Sequence, residues 1–261
     1  MTTLAFNLSP ASQATSGHDG VDLWLCACDG MDHLDRQACL AMLDPQEHAQ
    51  WHRYVCPSAK DQYLVARALS RSLLANVHGC TTGALRFGKS AYGRPYVALP
   101  QVAGAAHFNL AHTDGLVVMA LASSAEIGVD VEHVERAWDW ASLSSSCFHP
   151  HERTQVLERD ASHSCEAFFQ TWTLKEAYAK ARGLGLQLPL NSYAFHLGGH
   201  GIGLTCEPPC GDDPQGWFFH SFKPSARYRV AVAVRGKRAS SALRVHHIRA
   251  GAQLVGSLVA H

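Results

Sequence analysis

The sequence runs to 261 residues, with 22 Lys plus Arg against 22 Asp plus Glu, and 47% of its residues are apolar. That length suffices for one large domain or two modest ones with buried cores, and the apolar content excludes a disordered chain. The formal net charge of zero gives no support for general nucleic-acid or membrane-surface binding, so any cationic site must be local.

The opening stretch MTTLAFNLSPASQATSGHDG has neither a cationic start nor an apolar run followed by a cleavage signal, so a cytoplasmic protein is expected. The longest apolar run, Gly115 to Ala122, is far shorter than the roughly 18 residues of a membrane span. Nine cysteines in such a chain are expected as reduced thiols. The pairs Cys26/Cys28 and Cys206/Cys210 each lack a second pair at zinc-finger spacing, so no structural zinc is expected.

Taken in chain order, Val21 to Cys28 reads as a strand closed by the turn Asp29-Gly30. Asp44-Pro45-Gln46-Glu47 combines a capping Asp, an N-terminal Pro and a Glu at the third position, which predicts a helix start. Ser58-Ala59-Lys60-Asp61 opens a longer helix to about Val77, closed by Gly79, with Leu64, Val65, Ala68, Leu69 and Leu73 as its apolar stripe and Arg67 and Arg71 near the edge. Short strands are expected at Leu85–Phe87, Pro95–Leu99, His107–Ala111, Leu116–Ala122 and Gly128–Val134. Helical signals return at Pro150–Glu158 and at Cys165–Arg182, the latter stopped by Gly183 and Gly185. Strands resume at Tyr193–Leu197, Ile202–Cys206, Trp217–Phe222, Tyr228–Val234 and Leu243–Ile248.

The order strand, helices, hairpins thus occurs twice, with an offset of roughly 110 residues between matching features. An α+β fold of two similar lobes is expected, 1–123 and 124–261, with the boundary near Ser123-Ser124.

Four groups of residues carry chemistry. In the strand Gly128-Val129-Asp130-Val131-Glu132, side chains alternate, so Asp130 and Glu132 share one face. Such a pair suits a hard cation such as Mg²⁺, or a solvated face with arginine partners. In the helix around Trp172-Thr173-Leu174-Lys175-Glu176, residues Trp172, Glu176 and Lys180 also share a face; a helical Glu176–Lys180 salt bridge is the plainer reading. Phe108-Asn109-Leu110-Ala111-His112-Thr113 is a strand running into a His-bearing turn. Arg53, Lys60, Arg67, Arg71, Lys89 and Arg94 concentrate positive charge in the first half, Arg94 in a Tyr92-Gly93-Arg94-Pro95 turn that would hold its guanidinium outward. Arginine and histidine can bind phosphate by charge-assisted hydrogen bonds.

In the order and spacing of these parts the chain resembles the Sfp-type phosphopantetheinyl transferase family, from roughly Arg53 to Leu186. The Asp-x-Glu strand and the Trp-x-x-Lys-Glu-Ala-x-x-Lys helix are the diagnostic pair. One departure is Ala111, where the family usually has serine before the motif histidine. The resemblance implies a pseudo-dimer of two similar α+β lobes in one monomeric chain, with the active site in the cleft between them. The lobe 1–123 would bind coenzyme A phosphates, and 124–261 would carry the metal site and catalytic helix. Asp130, Glu132 and Glu176 would bind Mg²⁺ with the coenzyme pyrophosphate, and Lys180 would face the same phosphates. His112, Arg53, Arg67, Lys89 and Arg94 would hold the 3′-phosphate and pyrophosphate. The implied reaction moves 4′-phosphopantetheine from coenzyme A to a serine of an apo acyl or peptidyl carrier protein and releases 3′,5′-ADP. Glu176 is the first choice of general base and a metal-bound water the second. No nucleic acid or membrane partner is implied. The alternatives are a metal-dependent pyrophosphatase acting on coenzyme A or nucleotides, and an inactive carrier-binding module.

Overall fold

The computed structural model describes residues 20–104, 106–123, 126–136, 139–157, 161–198, 201–236 and 242–251. The expected boundary near Ser123-Ser124 and the end of the helix at Glu158 run into residues outside these. In the first half, strand β1 (Val21–Ala27) is followed by helices α1 (His33–Leu40), α2 (Pro45–Arg53) and α3 (Pro57–His78). Strands β2 (Arg86–Lys89), β3 (Pro95–Leu99), β4 (His107–Thr113) and β5 (Leu116–Ala122) complete it. The second half repeats that order with β6 (Ile127–His133), α4 (Trp140–Cys147), α5 (Pro150–Leu157), α6 (Ala161–Arg182), β7 (Tyr193–Gly198), β8 (Gly201–Cys206), β9 (Trp217–Ser225) and β10 (Tyr228–Arg235). A last strand, β11 (Leu243–Arg249), has no counterpart among the described residues.

Sheet topology repeats as well. The strand order β1-β5-β4 in the first sheet matches β6-β10-β9 in the second, and β2-β3 and β7-β8 form separate hairpins. The fold is therefore α+β with two similar halves, as expected. Strand alternation builds three layers of core. Val21, Leu23 and Leu25 of β1, Val118 and Ala120 of β5, Val129 and Val131 of β6, and Val230, Val232 and Val234 of β10 pack together between the two sheets. The opposite face of the first sheet meets α3 through Leu64, Leu69, Leu73, Val117 and Met119. The opposite face of the second meets α6 through Leu174, Ala177, Tyr178, Ala181, Ala231 and Ala233. Each fully buried aliphatic side chain stabilises this arrangement by about 1.5–3 kcal/mol relative to exposure.

One buried motif also recurs. Asp44-Pro45-Gln46-Glu47 starts α2 with a capping box, and Glu47 accepts a hydrogen bond from the Asp44 backbone. Arg71 of α3 is fully buried, donates to Glu47 at 2.6 Å and reaches the Thr82 carbonyl just ahead of β2. In the second half His149-Pro150-His151-Glu152 starts α5, and Glu152 accepts from the His149 backbone. There Lys175 of α6 is fully buried, pairs with Glu152 at 2.7 Å, and donates to the Leu190 and Tyr193 carbonyls ahead of and within β7. A buried charge is tolerated only when paired and hydrogen-bonded, and each cation here locks two helices to the chain entering a hairpin.

The structure departs from the sequence reading at several element ends. The long helix starts at Pro57, with Cys56 as its uncapped N-terminal residue, because proline suits the first helical turn. Gly79 ends it in the left-handed conformation, as expected. Helices α1 and α4 were not foreseen: α1 is short and held by an Asp32–Asp35 capping box, and α4 is serine-rich, so neither shows a long apolar period. The nine cysteines are unbridged, with the Cys206 and Cys210 thiols side by side next to the Tyr178 hydroxyl. No described helix is long and apolar enough to cross a membrane.

Strand β11 lies parallel to β1, so Leu243–Arg249 returns to the sheet of the first half. An ion cluster around the buried Asp22 fixes that pairing: the partly exposed Arg244 donates to both Asp22 oxygens at 2.8 and 2.7 Å, and the His246 ring lies 2.9 Å from Asp22 Oδ1. Burial by itself would raise the Asp22 pKa, but the Arg244 and His246 contacts hold it down at about 2. A carboxylate depressed in the folded state contributes stability above its ordinary value and loses it as pH falls through the folded value. The Asp22 contribution should thus be complete above pH 4 and drain away toward pH 2. Asp22→Asn is expected to lower unfolding free energy at pH 7 by about 1–2 kcal/mol, allowing for solvent around Arg244. Denaturant unfolding at both pH values checks this, since the difference between variant and parent should shrink in acid.

Candidate active site

Helix α6 crosses β6 at very short range. A Cβ on Gly128 would run into the Ala177 carbonyl and the Ala181 backbone, so glycine is what lets helix and strand touch. Ile127, Val129 and Val131 point between the sheets, and the alternation turns Asp130 and Glu132 toward α6. From α6, the periodicity that buries Leu174, Ala177, Tyr178 and Ala181 leaves Trp172, Glu176 and Lys180 along the facing edge.

These side chains meet around a cavity of about 380 Å³ lined by Leu110, Ala111, His112, Asp130, Val131, Glu132, Trp172, Glu176 and Lys180. The lining comes from both halves, β4 on one side and β6 with α6 on the other. Lys180 Nζ donates to Asp130 Oδ1 at 2.6 Å. Asp130 is 5% exposed, and its other oxygen, Oδ2, is buried without a hydrogen-bond partner. Trp172 Nε1 donates to Glu132 Oε1 at 3.2 Å. Burial and then the Asp130 charge push the Glu132 carboxyl up to about 7, against the pull of Trp172 and Lys180. Glu176 is raised by the same two causes. Burial would lower the Lys180 ammonium, but Asp130 beside it holds its pKa above the ordinary lysine value. His112 is pulled down by burial and by Lys180. Two carboxyls that exchange protons more readily near neutrality, an ammonium and an imidazole can together bind an anion and move a proton.

A second, more apolar cavity of about 610 Å³ adjoins the first and shares Leu110, Glu176 and Lys180 with it. Tyr92, Pro95, Leu188, Pro189 and Leu190 line its far part.

The structure thus gathers Asp130, Glu132, Glu176, Lys180 and His112 at one cavity. Of the other basic residues, Arg94 lines the adjoining cavity, and Arg53, Arg67 and Lys89 line neither. Arg53 is exposed at the end of α2, 3.4 Å from Gln50, and Lys89 is exposed at the end of β2. Arg67 is ion-paired with Glu47 and stacks on Phe87, with 4.4 Å from guanidinium to ring centre. Arg94 does not point outward from its turn. Its guanidinium is half-buried and donates to the carbonyls of Ile127 at 2.9 Å and Ala181 at 3.0 Å, with a longer contact to Lys180 at 3.4 Å. The carbonyls at the end of a helix lack intrahelical partners and attract a cation, which is what draws Arg94 inward. Asn109 lies in the quoted strand motif, yet nothing in its spacing indicated its contact with Val129 across the halves.

Among the described residues, no three His, Cys, Asp or Glu side chains are grouped closely enough to hold a metal ion. The donor chemistry still suits a hard cation: three carboxylates face one cavity, two are raised by burial and by the Asp130 charge, and one buried oxygen lacks a partner.

Two predictions arise from this geometry. Gly128→Ala should cost about 3 kcal/mol of stability, because backbone on α6 cannot yield as a flexible side chain would. Chemical denaturation that finds the variant as stable as the parent would mean that α6 can slide on β6. The second concerns Glu132: a carboxyl raised in the folded state supports folding below its ordinary value and ceases to as pH climbs through about 7. In chelator-treated protein, Glu132→Gln should therefore gain several degrees in Tm relative to the parent at pH 8, and little at pH 5. A Tm difference that does not change between these pH values would contradict the raised carboxyl.

A family model described as 4′-phosphopantetheinyl transferase superfamily matches residues 126–233, and one described as 4′-phosphopantetheinyl transferase, N-terminal, matches residues 33–124. A 4′-phosphopantetheinyl transferase of Bacillus subtilis is 27% identical over 194 residues, which cover 74% of this chain and 82% of the relative. A Synechocystis relative named for the same transferase is 31% identical over 169 residues, covering 65% of this chain and 67% of its own. Among solved structures, a Thermotoga maritima holo-[acyl-carrier-protein] synthase aligns over 44% of this chain and 64% of its own, at 25% identity and a TM-score of 0.35. By sequence, this chain belongs to the 4′-phosphopantetheinyl transferase superfamily.

Proposed function

We propose that the chain transfers the 4′-phosphopantetheine group of coenzyme A to a serine hydroxyl of an apo acyl or peptidyl carrier protein, releasing 3′,5′-ADP. The observation that carries this reading is the meeting of Asp130, Glu132, Glu176 and Lys180 with His112 around one cavity, in a chain of this family. Phosphoryl transfer asks little covalent chemistry of the protein; it asks for positioned charge around the phosphates and a group to take the proton of the attacking hydroxyl.

In the proposed reaction the carrier serine oxygen bonds to the β-phosphorus of the coenzyme, and the bond from that phosphorus to the bridging oxygen breaks. The serine proton passes to Glu176, the carboxylate of helix α6 that faces the cavity. Lys180 and His112 face the pyrophosphate and the 3′-phosphate. Asp130, Glu132 and Glu176 would hold a divalent cation, Mg²⁺ by the hardness of their oxygens, which when bound supplies positive charge to the phosphate oxygens. The adjoining apolar cavity offers room for the less polar parts of the coenzyme. Coenzyme contacts are proposed first for His112 and Lys180; Arg94 lines the adjoining cavity with its guanidinium on backbone carbonyls, Arg67 is paired with Glu47, and Arg53 and Lys89 line neither cavity.

The reading extends to organisation. The first lobe, 1–123, supplies His112, and the second, 124–261, supplies the carboxylates and Lys180, so the cleft between them is the proposed active site. One chain holds both halves, which suits a cytoplasmic monomer.

The test is to incubate the protein with coenzyme A, Mg²⁺ and a panel of apo-carriers, and to weigh the intact carriers. Carriers should gain one phosphopantetheine each. Glu176→Gln should lower the rate by about 10²-fold or more while the protein stays folded. Free phosphopantetheine without labelled carrier would identify a pyrophosphatase instead, and neither product would leave a carrier-binding module.

A further inference from the structure

Strand β6 carries Asp130 and Glu132, yet it is an edge strand. Among the described residues its only ladder partner is β10, while its other edge runs beside β4, the outermost described strand of the first sheet. An unpaired strand edge leaves backbone groups that need partners. On this edge the partners are side chains from the first half. The buried Asn109 of β4 accepts a hydrogen bond through Oδ1 from the Val129 N–H at 3.0 Å. Arg94, from the β2–β3 turn, donates through Nη2 to the Ile127 carbonyl at 2.9 Å. The same guanidinium turns its Nη1 to the Ala181 carbonyl at 3.0 Å, and to that of Lys180 at 3.4 Å.

Their placement is specific to the reactive pair. Val129 immediately precedes Asp130, and the Lys180 carbonyl belongs to the residue whose ammonium holds Asp130. The acceptor Asn109 and the donor Arg94 both come from the first half, which also carries His112, and the groups they bond belong to the second. We infer that Asn109 and Arg94 are positioning residues, a two-point clamp from the first half that sets where Asp130 and Lys180 stand relative to His112. The clamp itself is a matter of backbone hydrogen bonding. Its catalytic consequence rests on the transfer reaction proposed above.

A clamp differs measurably from two simpler roles. If Arg94 held a coenzyme phosphate, its loss would raise the coenzyme KM and spare kcat. If Asn109 merely filled space in the core, Asn109→Leu, similar in size but without the acceptor, would be neutral once activity is expressed per folded molecule. A clamp instead fails at the chemical step, because the coenzyme still binds while the reacting groups are misplaced.

The experiment uses the full-length protein. Amide hydrogen exchange at Val129 is followed by NMR without coenzyme or metal, alongside carrier-labelling kinetics with coenzyme A, normalised to the folded fraction. Asn109→Leu should speed Val129 exchange by about tenfold or more. It should also lower kcat about tenfold or more with a coenzyme KM within about threefold of the parent. Asn109→Asp keeps an acceptor oxygen and should restore both Val129 protection and most of kcat. Arg94→Met should likewise lower kcat more than it raises KM. A Val129 amide that stays protected in Asn109→Leu would overturn the clamp, as would an unchanged kcat. So would an Asn109→Asp protein that keeps the amide protected but loses kcat, or an Arg94→Met protein changed only in KM. If the parent labels no carrier at all, the proposed reaction fails, while the exchange measurement still decides the clamp.

Discussion

The contact of α6 with β6 is the constraint on which the rest of this molecule depends. Gly128 removes the one side chain that would hold helix and strand apart. With the two in backbone contact, residues on the strand face and the helix edge come within reach of a single ion pair, Lys180 with Asp130. The arrangement concentrates negative charge in a half-buried place, and the protein tolerates it only in part. Lys180 neutralises one oxygen of Asp130, Trp172 bonds Glu132, and the remaining carboxyls carry raised proton affinity. A site like this is unfavourable for folding and useful for chemistry, which is the usual relation between the two.

Opposite the site, α6 is held by a different kind of charge. Lys175 adjoins Glu176 in sequence, yet helical rotation sends it into the core, to Glu152 and two carbonyls. The helix therefore has a buried anchor and a reactive edge one residue apart. The first half shows the same anchor with Arg71 and Glu47, but the residue after Arg71 is Ser72, buried against Met42 rather than facing a cavity. Two halves with one frame have thus diverged at the position next to the anchor. In one it packs, and in the other it presents a carboxylate.

The halves are joined by more than the core between their sheets. Strand β11 returns from the second half to pair with β1, secured by Asp22, Arg244 and His246. Arg94 and Asn109 reach the other way, from the first half to the edge of β6. The first brings β11 into the first sheet, and the second holds the β6 edge of the second sheet against the first half. That is a reason for a site built from both halves to hold its geometry within a single chain.

Much of this was legible in the sequence, and the reasons are local. The period of two in Ile127 to Glu132 separated a core face from a carboxylate face, and spacing of four on α6 aligned Trp172, Glu176 and Lys180. The Asp44-Pro45-Gln46-Glu47 cap, the Gly79 stop and the repeated order of elements followed from the same short-range rules. What only the tertiary structure decided is where charges find partners. Arg67 and Arg71 carried the same signal as free surface arginines until α2 brought Glu47 against them. Arg94 sat in a turn that sequence would leave in water, but the carbonyls ending α6 stood within its reach and drew it in. Asn109 bonds a residue on another strand, with no backbone ladder between the two. Hydrophobic alternation and capping are encoded within a few residues, whereas a polar group chooses its partner from whatever the folded chain brings close. Local sequence therefore determined the elements and their faces, and packing determined which of the charged and polar groups remained free to act.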